Sequence, residues 1–138
     1  MAADEGTDFE ALFAEAARVQ PLAYAPYSRF KVGAAILDDR GTIHAGCNVE
    51  NAAYPSGSCA EQGAISAMIA GGGSRIAAIL ILGEGKALVT PCGACRQRIR
   101  EFASADTPVA IAGPGGVRQI FTLAELLPAS FGPDNLRG

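Results

Sequence analysis

Long apolar runs are missing from this sequence of 138 residues. The longest, Ile76 to Leu82, spans seven residues, whereas a bilayer crossing needs about 20, so no membrane partner is expected. The opening residues Met-Ala-Ala-Asp-Glu-Gly-Thr-Asp hold neither the basic patch nor the apolar stretch of a secretory signal, which predicts a cytoplasmic protein. Charge is scarce as well: 18% of residues are charged against 49% hydrophobic, and that balance excludes disorder as the main state. A net charge of −3 argues against a general nucleic-acid binder. The acids are unevenly spread, since Asp4, Glu5, Asp8, Glu10 and Glu15 all precede the first base, Arg18, and leave the rest nearly neutral. Histidine occurs once, at His44. With no acid or ligand partner beside it in the sequence, it reads as a surface or strand-edge residue.

What is present suffices for a single domain over residues 1–138, with 1–7 and 133–138 expected to be flexible. A chain near this length can bury roughly two-thirds of its unfolded surface. Thr7-Asp8-Phe9-Glu10 reads as a capping box with Thr7 as N-cap. Phe9, Leu12, Phe13 and Ala16 follow at helical spacing, predicting a helix over 8–20. Phe30 to Leu37 and Thr42 to Asn48 read as a hairpin around Asp38-Asp39-Arg40-Gly41. Cys59 to Ala70 is an almost wholly apolar helical pattern, expected to be buried on most sides. Ile76 to Leu82 suits a central strand covered on both faces. Cys92 to Phe102 reads as a helix, Val109 to Ala112 as a strand, and 121–127 as a strand end followed by a short helix. This order predicts a mixed sheet with helices on its faces.

Four cysteines in a reducing compartment point to metal or catalysis rather than disulfides. Cys59-Ala60-Glu61 opens one helix, and Pro91-Cys92-Gly93-Ala94-Cys95 opens another. Zinc prefers soft thiolates in a tetrahedral shell, and a catalytic zinc keeps its fourth position for water. Cys92 and Cys95 share one helical face, so both sulfurs can reach one metal. All three cysteines then sit at helix N-termini, where the dipole and free N–H groups favour thiolate. That placement partly offsets the net −1 of three thiolates around Zn²⁺. Glu61 lies near enough to take a proton from the water. The competing readings are a closed structural zinc or inert buried cysteines. Cys47, alone on its strand, reads as a small buried hydrophobe.

Cys-Ala-Glu followed by Pro-Cys-x-x-Cys resembles the site of the zinc deaminases in its three-cysteine form. Around it, Ala25-Pro26-Tyr27-Ser28-Arg29-Phe30, Val32-Gly33-Ala34-Ala35, Gly46-Cys47-Asn48-Val49-Glu50-Asn51-Ala52, Pro91 to Gln97 and the stretch from Leu126 to Pro133 resemble the small homotetrameric cytidine deaminases. The resemblance covers roughly residues 20–133. It implies an α/β fold with a mixed central sheet of about five strands and helices on both faces, a three-layer α/β/α arrangement. It implies one Zn²⁺ per subunit on Cys59, Cys92 and Cys95, with Glu61 as proton shuttle. Cytidine and 2′-deoxycytidine would be hydrolysed to the uridines with release of ammonia, as in pyrimidine salvage. Asn48 and Glu50 would bond the ribose, Phe30 would pack on the pyrimidine, and Ala60 would offer backbone contacts to the base. In a homotetramer, Ala52, Tyr54 and Phe131 would close a neighbouring subunit's pocket. The family pattern continues Arg-Thr after Cys-Ala-Glu; here stand Gln62-Gly63, and Arg96 is the expected substitute for balancing the thiolates.

Each of these residues also has a plainer reading. Phe30 at a strand start suits a core, Asn48 and Glu50 suit a solvated turn, and Tyr54 and Phe131 suit the edge of a core. Gln62 suits any first helical turn, and Arg96, Arg98 and Arg100 suit a solvated stripe. A polynucleotide base deaminase, which usually has histidine as first ligand and a basic channel, is a rival. So are a deaminase of cytosine-nucleoside antibiotics and a non-catalytic zinc-stabilised binding module.

Overall fold

The apolar run at 76–82 becomes the middle of the molecule. In the computed structural model, which describes residues 6–137, it forms β3 (Ile76–Leu82). Beside it lie β1 (Gly33–Asp38), β2 (Ile43–Cys47), β4 (Pro108–Gly113) and β5 (Gly116–Thr122) in one five-stranded sheet, ordered β2-β1-β3-β4-β5. β1 is antiparallel to both β2 and β3, β3 and β4 are parallel, and β5 returns antiparallel. The mixed sheet is thus as expected.

Helices cover both faces because the strands are apolar on both. α1 (Phe9–Val19) packs Leu12 and Ala16 onto Ala35, Ala78 and Leu80. On the opposite face α2 (Ala60–Ala70) and α3 (Gly93–Phe102) bring Ala64, Met68 and Ile99 onto Ile36, Ile79 and Ile81. Each fully buried aliphatic side chain contributes about 1.5–3 kcal/mol. The short α4 (Leu123–Leu126) closes the same face under a Thr122–Glu125 capping box.

Several boundaries differ from the sequence reading. The N-cap of α1 is Asp8 rather than Thr7: its carboxylate accepts the Ala11 N–H at 3.0 Å. β1 starts at Gly33, not Phe30, because side chains take the N–H groups that a ladder would use. Lys31 N donates to Glu84 Oε1 and Val32 N to Asn48 Oδ1, both at 2.8 Å. β5 is a full strand where only a strand end was expected; as an exposed edge it shows little period-two alternation. α2 is not buried on most sides in the single chain, since Ile69 is 48% exposed. At the C-terminus, within the stretch expected to be flexible, Pro133–Arg137 forms α5. Arg100 holds it through Asp134 at 3.2 Å. The flexibility expected for residues 1–5 and 138 lies outside the described residues.

His44 lies on the edge strand β2, one of its two expected placements, but its side chain is not at the surface. Its Nε2 meets the buried Asp38 carboxylate at 2.8 Å, and Arg40 N and Thr42 N donate to the same carboxylate at 2.8 and 2.9 Å. Arg40 also donates to the Gly71 carbonyl at 2.7 Å, fastening the hairpin tip to the end of α2. Burial alone would raise the Asp38 carboxyl, but the His44 bond and the two N–H donors outweigh it and hold it at about 2. A depressed carboxyl stabilises the fold above its ordinary value of 3.8 and loses that contribution as pH falls through about 2. Asp38→Asn is therefore expected to lower Tm at pH 7. The gap to the wild type should close between pH 4 and 2 in thermal denaturation followed across pH.

Candidate metal centre

Strand direction explains why distant cysteines meet. β2 and β3 are each antiparallel to β1, so they run the same way and end on one edge; their last residues, Cys47 and Leu82, share Gly33 as register partner. α2 and α3 both start beyond that edge and pack on the same face of the sheet. Cys59 is the N-cap of α2 and Cys92 the N-cap of α3, both extended and neither spending its sulfur on a capping bond. α2 seats very close to β2. A Cβ at Gly46 would lie 2.4 Å from Ala64 N and 2.8 Å from the Ala60 carbonyl oxygen, so any side chain there would displace the start of the helix.

The three sulfurs of Cys59, Cys92 and Cys95 lie within 4.8 Å of one another. Zn–S bonds of about 2.3 Å in a tetrahedron require S···S separations near 3.8 Å, so the residues fit the ion with a small contraction. The group has three members. Half-buried Cys47 is not one of them, and His44 is engaged by Asp38. A closed four-ligand site is thus not what the described residues form. The Cys95 contact, together with Cys92 and the Arg98 charge, holds the Cys59 thiol at about 6 despite burial, and the same contact raises Cys95.

Glu61, in the first turn of α2, is 5% exposed. Burial pushes its carboxyl up to about 7; the Cys59 charge adds to this, while its own N–H and Arg98 oppose it. A carboxyl so placed can both take and give a proton near neutrality.

The three arginines of α3 do not form a solvated stripe. Arg96, the expected counter-charge, instead donates Nε to the Pro91 carbonyl and Nη1 to the Leu126 carbonyl, both at 2.7 Å. It braces the loop into Cys92 and does not serve the sulfurs. Arg98, read in the sequence only as part of a solvated basic run, has Nη1 at 3.5 Å from Cys95 Sγ. Its signal was the i, i+3 spacing from Cys95, hidden in an alternating basic run. Gln62 is half-buried and shares a small cavity with Arg98.

A cavity of about 520 Å³ opens beside Cys59, with Ser28, Asn48, Glu50, Tyr54 and Ser58 among its walls. Of the expected substrate contacts, Asn48, Glu50 and Tyr54 line it. Phe30 and Ala52 are exposed and do not, and Ala60 is buried behind Cys59. Phe131 is 58% exposed and lies elsewhere, its carbonyl held by Gln97 Nε2 at 2.8 Å. Asn48 and Glu50 also support the facing loop. Asn48 Nδ2 donates to the Phe30 carbonyl at 2.9 Å. Glu50 accepts from Tyr27 N at 2.9 Å, from Ser28 N at 3.1 Å and from the Ser28 hydroxyl, bonds that keep its carboxyl below the usual range. Ser28 gave no local signal, because its partner is 22 residues away. A larger cavity of about 650 Å³ near α5 holds arginines, serines and Asp134 but neither cysteine nor histidine.

Residues 7–111 match the family model described as the cytidine and deoxycytidylate deaminase zinc-binding region. A cytidine deaminase of Sporosarcina psychrophila is 41% identical over 129 residues, 94% of this chain and 95% of that protein. One from Mycobacterium tuberculosis is 39% identical over 129 residues, covering 94% and 93%. Among solved structures, the crystal structure of cytidine deaminase from Burkholderia pseudomallei superposes with a TM-score of 0.83 at 40% identity, over 91% of this chain and 100% of that one.

Metal analysis of the purified chain is expected to find about one zinc per chain. Cys92→Ser and Cys95→Ser should each lose most of it at equal total zinc.

Proposed function

This chain belongs to the cytidine deaminase family, a family of zinc hydrolases, and from that premise we propose that it hydrolyses cytidine and 2′-deoxycytidine to uridine and 2′-deoxyuridine with release of ammonia. The observation that carries this reading is the three-sulfur group set beside buried Glu61 at the end of a cavity walled by Asn48 and Glu50. A zinc ion at the sulfurs supplies Lewis acidity, which brings the ionisation of water from pKa 15.7 to about 7. Glu61 accepts a proton from the attacking water and delivers it to ring N3 as the C4–O bond forms. It then moves the second proton to the amine as the C4–N bond breaks. Its carboxyl near 7 suits both transfers. Asn48 and Glu50 bond the ribose hydroxyls, sharing oxygens that also hold the 27–32 loop. Phe30, exposed and outside the cavity wall of the single chain, packs on the pyrimidine, and the Ala60 backbone meets the base.

The active form is a homotetramer. Phe131, exposed and away from its own chain's cavity, is suited to close a neighbour's pocket together with Ala52, while Tyr54, 77% exposed on the wall of its own chain's cavity, stands where two such pockets meet. The solvent-facing Ile69 of α2 gives such an assembly apolar surface to bury. The reaction serves pyrimidine salvage in the cytoplasm, where the free cysteines stay reduced. No helix among the described residues is long and apolar enough to cross a membrane.

Glu61→Gln is expected to lower kcat by about a thousandfold or more, since general acid–base catalysis contributes about 10²–10⁴, with zinc content unchanged. The loss of cytidine ultraviolet absorbance measures it. Undiminished turnover in this variant would defeat the proton-shuttle role, and an inert zinc-loaded wild type would favour a binding module. A nucleoside panel in which only antibiotic analogues react would reassign the substrate.

A further inference from the structure

Three thiolates around one divalent cation leave a net charge of −1, and the residue that follows Glu61 is neutral Gln62. We propose that Arg98 is the cation that balances this centre and secures the metal through Cys95. The inference rests on the zinc reading given above. Arg98 lies one turn beyond Cys95 on α3, with Nη1 at 3.5 Å from Cys95 Sγ. Its neighbours cannot take the same role. Arg96 is committed to the Pro91 and Leu126 carbonyls and the Thr90 hydroxyl. Arg100 is committed to Ser130 Oγ at 2.9 Å and to Asp134. No ion pair among the described residues takes the Arg98 guanidinium, although Glu101 lines the same cavity. The sulfur is therefore the acceptor to which Arg98 donates.

An N–H donated to a ligand sulfur draws electron density from it. The thiolates then repel one another less, while the sulfur stays deprotonated for the metal. The position is specific because the cavity of about 400 Å³ that Arg98 lines is also lined by Gln62, Ile65, Ser66 and Gln97. Residues 62 and 98 thus reach the same space from α2 and α3. A guanidinium introduced at 62 can occupy the place that Arg98 now holds.

Arg98→Met keeps the apolar stem and removes the charge and donor. Outer-sphere partners of metal ligands are typically worth about 10–100-fold in metal affinity, so in equilibrium zinc transfer to a competing chelating dye, Arg98→Met is expected to hold the metal that much less tightly. Arg98→Lys should stay within a few-fold of the wild type. Gln62→Arg placed on Arg98→Met should recover most of the loss. In the cobalt-loaded proteins, the sulfur-to-cobalt charge-transfer band of Arg98→Met should move to longer wavelength, a change that packing alone would not produce. Unchanged zinc transfer in Arg98→Met would overturn the proposal. So would an Arg98→Lys variant as leaky as Arg98→Met, or no recovery with Gln62→Arg. A wild-type chain that binds no zinc at all would instead overturn the zinc reading on which the proposal stands.

Discussion

Gathering three ionisable sulfurs to within 4.8 Å of one another is the demand that organises this molecule. Two thiolates at that distance repel by roughly 3 kcal/mol at the effective dielectric near a protein surface. A helix N-terminus returns only about 0.3–1 kcal/mol for each. The two helix starts at Cys59 and Cys92 therefore cannot hold the cluster alone. A divalent cation and a nearby guanidinium are of the right sign and size to do so. The backbone contributes rigidity instead: α2 is locked against β2 at Gly46, and the loop into α3 is braced by Arg96.

The cavity beside the sulfurs follows a second rule: polar side chains that face it also hold its wall. Asn48 ties down residues 30–32, and Glu50 ties down residues 27 and 28. This arrangement preorganises the loop and places an anionic carboxylate on the cavity wall. It also leaves Phe30, Tyr54 and Phe131 substantially exposed in the single chain. Exposed apolar rings suit burial against other copies of the chain, the proposed homotetramer.

Elements with strong local signals were legible in the sequence. β3 announced itself as a continuous aliphatic run, α1 through its apolar spacing, and α2 and α3 through the cysteines that open them. The meeting of the three sulfurs and the nearness of Glu61 were legible because they follow from local spacing: sulfurs three apart at a helix start, and a carboxylate two residues after a cysteine. β5 was illegible because an exposed edge strand buries too little to alternate. The burial of the His44 side chain was illegible because its carboxylate partner, six residues back, meets it only across a formed hairpin. Arg96 and Arg98 were exchanged in role because a carbonyl acceptor, unlike a charge, leaves no mark in a sequence.

The amino-acid order by itself determined the type of chemistry available, since thiolate, carboxylate and spacing are properties of residues and of one helix. Tertiary structure alone decided which arginine serves the sulfurs and how Asn48 and Glu50 divide their bonds. It also decided that Phe131 lies away from its own chain's cavity. Those outcomes depend on directions in space, set when β2 and β3 end on one edge and their two helices start together. No local pattern encodes such a meeting, because the free energy that selects it comes from burial summed over the whole sheet.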